Sequence, residues 1–172
     1  VLHGRLPRCR AGKGFENLGI HEDAADATFV SAEHGEHSPQ RARALQSDIL
    51  DSTRVLQAHG HQILIIYPVP EMGFNVPSAA YRLKRFCLEQ LELSSSLQRF
   101  KQRASASYEL YDAIAGSNTL RVYPEKVLCD TATNRCDAVD PQGRQLYFDN
   151  NHLSRLGAMR IARQTISTVM EK

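Results

Sequence analysis

An aspartate and a histidine stand three positions apart near the carboxyl end of the chain, in the stretch "YFDNNHLSRLGA". In an Asp-x-x-His turn the carboxylate of Asp149 can reach a ring nitrogen of His152, fix the imidazole tautomer and stabilise the imidazolium. The second ring nitrogen is then free to take a proton from a serine hydroxyl. Residues 149–151 are also good turn formers, so a plain capping turn is the alternative to a catalytic pair.

The elements that must position this pair begin with a helix and a strand. Residues 38–60 predict a helix, because Ser38 suits an N-cap, Pro39 a first helical position and Gly60 a helix end. Residues 63–66 are four consecutive apolar residues and predict a strand covered on both faces. We expect the buried face of the helix to be formed by Ala42, Leu45, Ile49, Ser52 or Thr53, and Leu56.

The alternation of helices and strands continues to the end of the chain. The pattern predicts helices from Pro77 and over 96–116, a strand within 119–124, and a closing helix that Ser154 caps. The core stripe of the closing helix is predicted to be Leu156, Met159, Ala162, Ile166 and Val169. The predicted fold class is therefore α/β, with a parallel sheet and helices on both of its faces, and ligands of such sheets collect beyond the strand ends.

The overall composition excludes several classes of protein. A net charge of +2 over 172 residues, with basic residues spread along the chain, gives no reason to expect nucleic acid as a partner. The longest apolar run, "ILIIYPV", is too short to cross a bilayer. Hydrophobic residues make up 42% of the chain, which is enough for a globular domain with a real core.

Four cysteines carry information about the compartment. Cys129 and Cys136 flank the short polar stretch "DTATNR", which favours a tight turn, and we expect a disulfide between them. That disulfide requires an oxidising compartment, and the alternative is two neighbouring free thiols. Cys9 and Cys87 are too far apart in the sequence to be paired from spacing.

Histidine pairs at 34 and 37 and at 59 and 61 raise the question of a metal site. Neither pair has cysteine or aspartate partners at the spacing of metal ligands, and no C-x-x-C occurs in the chain. Gly60 between the second pair is better explained as a helix end. We therefore expect neither a metal ion nor another cofactor.

The stretch from Asp149 to Ala158 resembles the last motif of the SGNH/GDSL hydrolase superfamily, D-x-x-H-L-[ST]-x-x-G-A, which supplies the acid and base of a triad. Residues 61–77 and 123–158 are similar in order and spacing to one branch, the periplasmic SGNH domain at the C-terminus of acyltransferase family 3 membrane proteins. Residues 1–18 resemble the family segment after the third strand, with Arg5-Leu6 where Arg-Trp usually stands.

This resemblance implies a three-layer α/β/α sandwich that O-acylates, most often O-acetylates, a bacterial cell-surface or secreted glycan. A membrane-embedded region of the same protein would supply the acyl group, and the domain would lie in the periplasm. His152 would be the general base and Asp149 its orienting partner, with Asn17 a candidate oxyanion donor and Arg155 a candidate acceptor contact. The alternatives are a carbohydrate esterase of the same superfamily and a non-catalytic module that binds glycan or a partner.

The chain departs from the family pattern at the nucleophile. The G-D-S motif that carries the family's serine does not occur here, and Ser52 lies inside a predicted helix and is rejected. We therefore expect residues 1–172 to form a single, N-terminally incomplete SGNH-like domain that lacks its first strand and nucleophile block. The serine would then lie upstream of Val1, and this chain alone would be inactive.

Overall fold

The computed structural model describes residues 39–86 and 92–171, and the structural statements below concern these residues. The helices are α1 (Pro39–Ala58), α2 (Val76–Arg85), α3 (Leu97–Asp112), α4 (Glu125–Leu128) and α5 (Arg155–Met170). The strands are β1 (Ile63–Ile66), β2 (Ser94–Ser96), β3 (Thr119–Val122), β4 (Cys129–Asp130) and β5 (Arg135–Asp137). The predictions for Asn17, Cys9, Cys87, the cap Ser38 and the histidines at 34 and 37 lie outside the described residues.

Two small sheets organise these elements. Strands β1 and β3 pair in parallel, with Ile63 opposite Thr119 and Ile66 opposite Val122. Strands β2, β5 and β4 form an antiparallel sheet with β5 in the middle. The α/β class and the parallel pairing are thus as predicted, whereas the antiparallel sheet was not predicted.

Capping side chains explain where three of the helices begin. Asn75 accepts a hydrogen bond from the backbone N–H of Ser78 at the start of α2, and Ser96 accepts one from Arg99 at the start of α3. Ser154 accepts one from Gly157 at the start of α5, as the sequence predicts. Each cap satisfies a backbone donor that has no partner within its own helix, which typically contributes about 1 kcal/mol.

Two apolar clusters hold the elements together. The larger cluster joins the loop after β1 to helices α2, α3 and α5 through buried residues that include Met72, Val76, Phe100, Val122, Leu146, Tyr147 and Ile161. The smaller cluster is built on Ile65, Tyr67 and Ile114, against which Ile49 and Leu50 of α1 pack. The ring centroids of Tyr108 and Tyr123 lie 4.7 and 4.4 Å from that of Tyr67. Tyr108 of α3 therefore packs against this cluster.

Several apolar side chains that the sequence pattern places in the core are exposed. They are Leu45 and Leu56 of α1, Leu64 and Ile66 of β1, and Met159, Ala162, Ile166 and Val169 of α5. In β1, Leu64 and Ile66 lie on the face opposite to Ile65, and this face is uncovered among the residues that the structure describes. In α5 the buried residues are Gly157 and Ile161, and of the predicted stripe Leu156 alone packs against the larger cluster.

A disulfide joins Cys129 of β4 to Cys136 of β5, across the pair of strands that the predicted turn connects. At the turn, Asp130 accepts a hydrogen bond from the backbone N–H of Ala132, and Asn134 adopts a φ of 57°. Asparagine tolerates this left-handed conformation better than most residues. Closing such a short loop stabilises the fold by roughly 2–3 kcal/mol on the chain-entropy estimate.

None of the described helices is both long enough and apolar enough to cross a membrane.

Candidate active site

The structure brings Asp149 and His152 into direct contact. The Nδ1 atom of His152 lies 2.7 Å from Oδ2 of Asp149. The other carboxylate oxygen, Oδ1, accepts hydrogen bonds from the backbone N–H groups of Asn151 at 2.9 Å and His152 at 2.7 Å. Both oxygens of the carboxylate are therefore held, and the imidazole is oriented by the turn that carries it.

The same contacts keep Asp149 ionised. The backbone N–H of His152 lowers the pKa of the Asp149 carboxyl below its ordinary value, and the N–H of Asn151 and the His152 ring act in the same direction against partial burial. An ionised carboxylate accepts the Nδ1 proton of the imidazole, so Nε2 is left as the basic nitrogen. The side chain of His152 is 65% exposed and that of Asp149 is 26% exposed, so the imidazole is the accessible partner.

The turn is held at its base by the segment before it and by the helix after it. Tyr147 and Leu153 form an antiparallel bridge, and the backbone N–H of Phe148 donates to the carbonyl of His152. The hydroxyl of Ser154 donates to the carbonyl of Gln145 at 2.8 Å while it caps α5. These bonds fix the pair just before the amino end of α5.

The loop that follows β1 packs directly against the turn. The N–H of Met72 donates to the carbonyl of Asn150 at 2.8 Å, and the N–H of Val76 donates to the carbonyl of Asp149 at 3.2 Å. The buried hydroxyl of Tyr147 donates to the carbonyl of Pro70 at 2.8 Å. The pair therefore lies beside the loop at the carboxyl end of a parallel strand, which is where ligands of α/β proteins bind.

An exposed aromatic ring that the sequence reasoning missed lies on the imidazole. The rings of Phe148 and His152 are stacked, with centroids 5.4 Å apart and planes 18° apart, and Phe148 is 60% exposed. The signal was present in "YFD", because adjacent residues of an extended segment face opposite sides and Tyr147 is buried. Phe148 therefore offers an apolar face to whatever approaches His152.

The other residues considered for the site, Arg155 and Ser52, are not part of the Asp149–His152 contact. Arg155 is the first residue of α5 and is exposed, three positions after His152. Ser52 is exposed on α1, in keeping with its rejection as a nucleophile. The hydroxyl of Ser154 is occupied in the cap. Among residues 39–86 and 92–171, no serine is hydrogen-bonded to His152, and no group of three or more potential metal ligands occurs.

Comparison with known proteins identifies the family of the chain. A family model described as the SGNH domain (fused to AT3 domains) matches residues 1–167. The searches of curated proteins and of solved structures each returned no match. The matched range includes the Asp149–His152 turn, the loop after β1 and Gly157 of α5. The chain belongs to the family of SGNH domains that are fused to AT3 domains.

Proposed function

We propose that the chain is the C-terminal part of a serine-dependent O-acyltransferase domain, in which His152 is the general base and acid and Asp149 orients it. The observation that carries this proposal is the contact between Nδ1 of His152 and the carboxylate of Asp149, whose second oxygen is fixed by two backbone N–H groups. Membership of an acyltransferase-associated SGNH family supplies the reaction class.

The reaction would proceed in two half-reactions on one serine. Nε2 of His152 takes the serine proton while the serine oxygen attacks the acyl carbonyl, and the imidazolium then gives that proton to the leaving group. In the second half-reaction Nε2 takes a proton from a sugar hydroxyl, the sugar oxygen attacks the serine ester, and the imidazolium returns the proton to the serine oxygen as it leaves. Throughout, Asp149 accepts from Nδ1 and stabilises the imidazolium without itself becoming protonated.

We place the serine upstream of Val1, in a first strand and nucleophile block that would complete a three-layer α/β/α sandwich. Two observations support a further strand and helix beside β1. The exposed apolar side chains of Leu64 and Ile66 lie on the same face of β1, and β1 has one paired edge among the described strands. A further parallel strand with its own helix would cover both, as is usual for parallel sheets.

The family supports the proposed substrates, and the disulfide supports the proposed location. A membrane-embedded region of the same protein would deliver an acetyl group, and the acceptor would be a bacterial cell-surface or secreted glycan. The Cys129–Cys136 disulfide supports an oxidising, extracytoplasmic location for the domain. Exposure of His152 leaves room for a polymer to reach the imidazole.

Transfer of the acetyl group to a glycan is distinguished from its hydrolysis by following a radioactive label on the acetyl group. The protein with its natural upstream sequence is given p-nitrophenyl [¹⁴C]acetate with and without a bacterial surface polysaccharide, beside its His152→Ala variant. We expect label in the polysaccharide for the wild type and none for the variant. Label recovered only as acetate would overturn transfer in favour of the carbohydrate esterase. If the wild type and the variant release acetate from p-nitrophenyl acetate at the same rate, the proposed catalysis would be overturned and the non-catalytic binding module favoured.

A further inference from the structure

We propose that a small pocket beside the candidate active site binds an oxyanion of the acceptor glycan, namely the carboxylate of an acidic sugar. The pocket, called here the anion pocket, is lined by Met72, Gly73, Ser95, Ser96, Arg99 and Arg103. The proposal rests on the proposed function, because it concerns the acceptor of that reaction. Its cavity of about 10 Å³ admits one small polar group rather than a sugar ring.

The first observation is a buried hydroxyl that has no partner. Ser95 is 4% exposed and lines the anion pocket, and its Oγ atom makes no hydrogen bond among the residues that the structure describes. A buried hydroxyl without a partner costs roughly 1–3 kcal/mol. An oxygen of a bound carboxylate would accept this hydrogen bond and remove that cost.

The second observation is the positive charge on the same wall. Arg99 and Arg103 stand one helical turn apart on α3 and both line the anion pocket. Their guanidinium groups have the planar donor geometry that matches a carboxylate. The pocket also lies at the amino end of α3, a helix of 16 residues, where the backbone dipole favours negative charge.

Arg103 already has a carboxylate partner within the chain. The Oε2 atom of Glu71 lies 3.6 Å from Nη2 of Arg103, and both side chains are about one-third exposed. A carboxylate of the ligand would compete with Glu71 for Arg103. Removal of the Glu71 charge should therefore strengthen binding of an anion, which is the opposite of the effect expected from removing an arginine.

The position of the pocket connects it to the reaction. Gly73 and Met72 belong to the loop after β1, and the N–H of Met72 donates to the carbonyl of Asn150 in the catalytic turn. The anion pocket and His152 therefore flank the same loop. A carboxylate held in the pocket would position a neighbouring part of the glycan chain near the imidazole, and it would not take part in the proton transfers.

Binding is tested without turnover, by isothermal titration of the protein with its natural upstream sequence. The probes are trigalacturonate, the neutral maltotriose and inorganic phosphate. We expect trigalacturonate to bind at least about tenfold more tightly than maltotriose. Ser95→Ala and Arg103→Gln should each raise the Kd for trigalacturonate by about tenfold, and Glu71→Gln should lower it. Lys101→Gln is the matched control, because it removes a positive charge from another side of α3 and should change nothing.

Three results would overturn the inference: equal affinities for the charged and neutral trisaccharides, no gain from Glu71→Gln, or binding of phosphate without binding of trigalacturonate. Thermal unfolding of each variant separates loss of binding from loss of fold, and Ser95→Ala removes no hydrogen bond within the described residues. Because no turnover is needed, an inactive protein that binds trigalacturonate would contradict the proposed function alone. An active protein that binds trigalacturonate and maltotriose equally well would contradict the anion pocket alone.

Discussion

Replacement of His152 by alanine should lower kcat for release of acetyl groups by about 10⁴-fold or more, because both half-reactions lose their proton acceptor. The imidazole is exposed and its hydrogen bond goes to Asp149, so its removal leaves the buried base of the turn in place. The measurement is the steady-state rate with p-nitrophenyl acetate for the protein with its natural upstream sequence.

His59→Ala is the matched control for this prediction. His59 is an exposed histidine that follows α1, and its Nδ1 atom contacts the carbonyl of Val55 at 2.8 Å. Its replacement should leave the rate unchanged. A His152→Ala rate within a few-fold of the wild type would show that the imidazole is not the base, even if the family membership holds.

Replacement of Gly157 by alanine should destabilise the fold by about 3 kcal/mol, which is the upper end of what overpacking usually costs. A Cβ atom on Gly157 would lie 2.2 Å from the backbone carbonyl oxygen of Leu146 and 2.9 Å from Cδ2 of Leu153. The first of these neighbours is backbone and cannot rotate away. Helix α5 would have to move, and with it the N–H of Ser154, which donates to that same carbonyl.

Urea unfolding measures this cost, with Gly60→Ala as the control. Gly60 has a φ of 81° and nothing within 4 Å of an added Cβ, so alanine there incurs backbone strain alone, about 1–2 kcal/mol. We expect Gly157→Ala to lower the unfolding midpoint more than Gly60→Ala does. A neutral Gly157→Ala variant would contradict the close approach of α5 to Leu146. The same approach explains why position 157 of the motif is a glycine.

The contact between Asp149 and His152 could be predicted from the sequence because the two residues are close along the chain. Asp149, His152 and the cap Ser154 lie within six consecutive residues, so spacing alone decides whether they can meet. The surroundings depend on contacts between distant segments. Tyr147 donates to Pro70, 77 positions away, and Gly73 meets Ser95 in the anion pocket only after the chain has folded. No periodicity encodes such contacts.

The fold was predictable where elements carry their own signals. Helix α1, strand β1 and helix α5 have caps, apolar runs or glycine ends, and they were placed to within a few residues. The antiparallel sheet was missed because its strands are two or three residues long and polar, and Ser94–Ser96 shows no alternation of apolar residues. The predicted burial of Leu64 and Met159 is wrong. An apolar pattern indicates which face of an element can be buried, but it does not indicate which other element packs against that face.

The most direct test of the Asp149–His152 pair is a double-mutant cycle on kcat/KM for the protein with its natural upstream sequence. Asp149→Asn places an amide where the carboxylate accepts from Nδ1, which favours the wrong imidazole tautomer and should cost about 10⁴-fold on its own. If the two residues act as one unit, Asp149→Asn should cost almost nothing further once His152 is alanine. An equal loss from Asp149→Asn in both backgrounds would show that the two residues act independently, and would contradict the account.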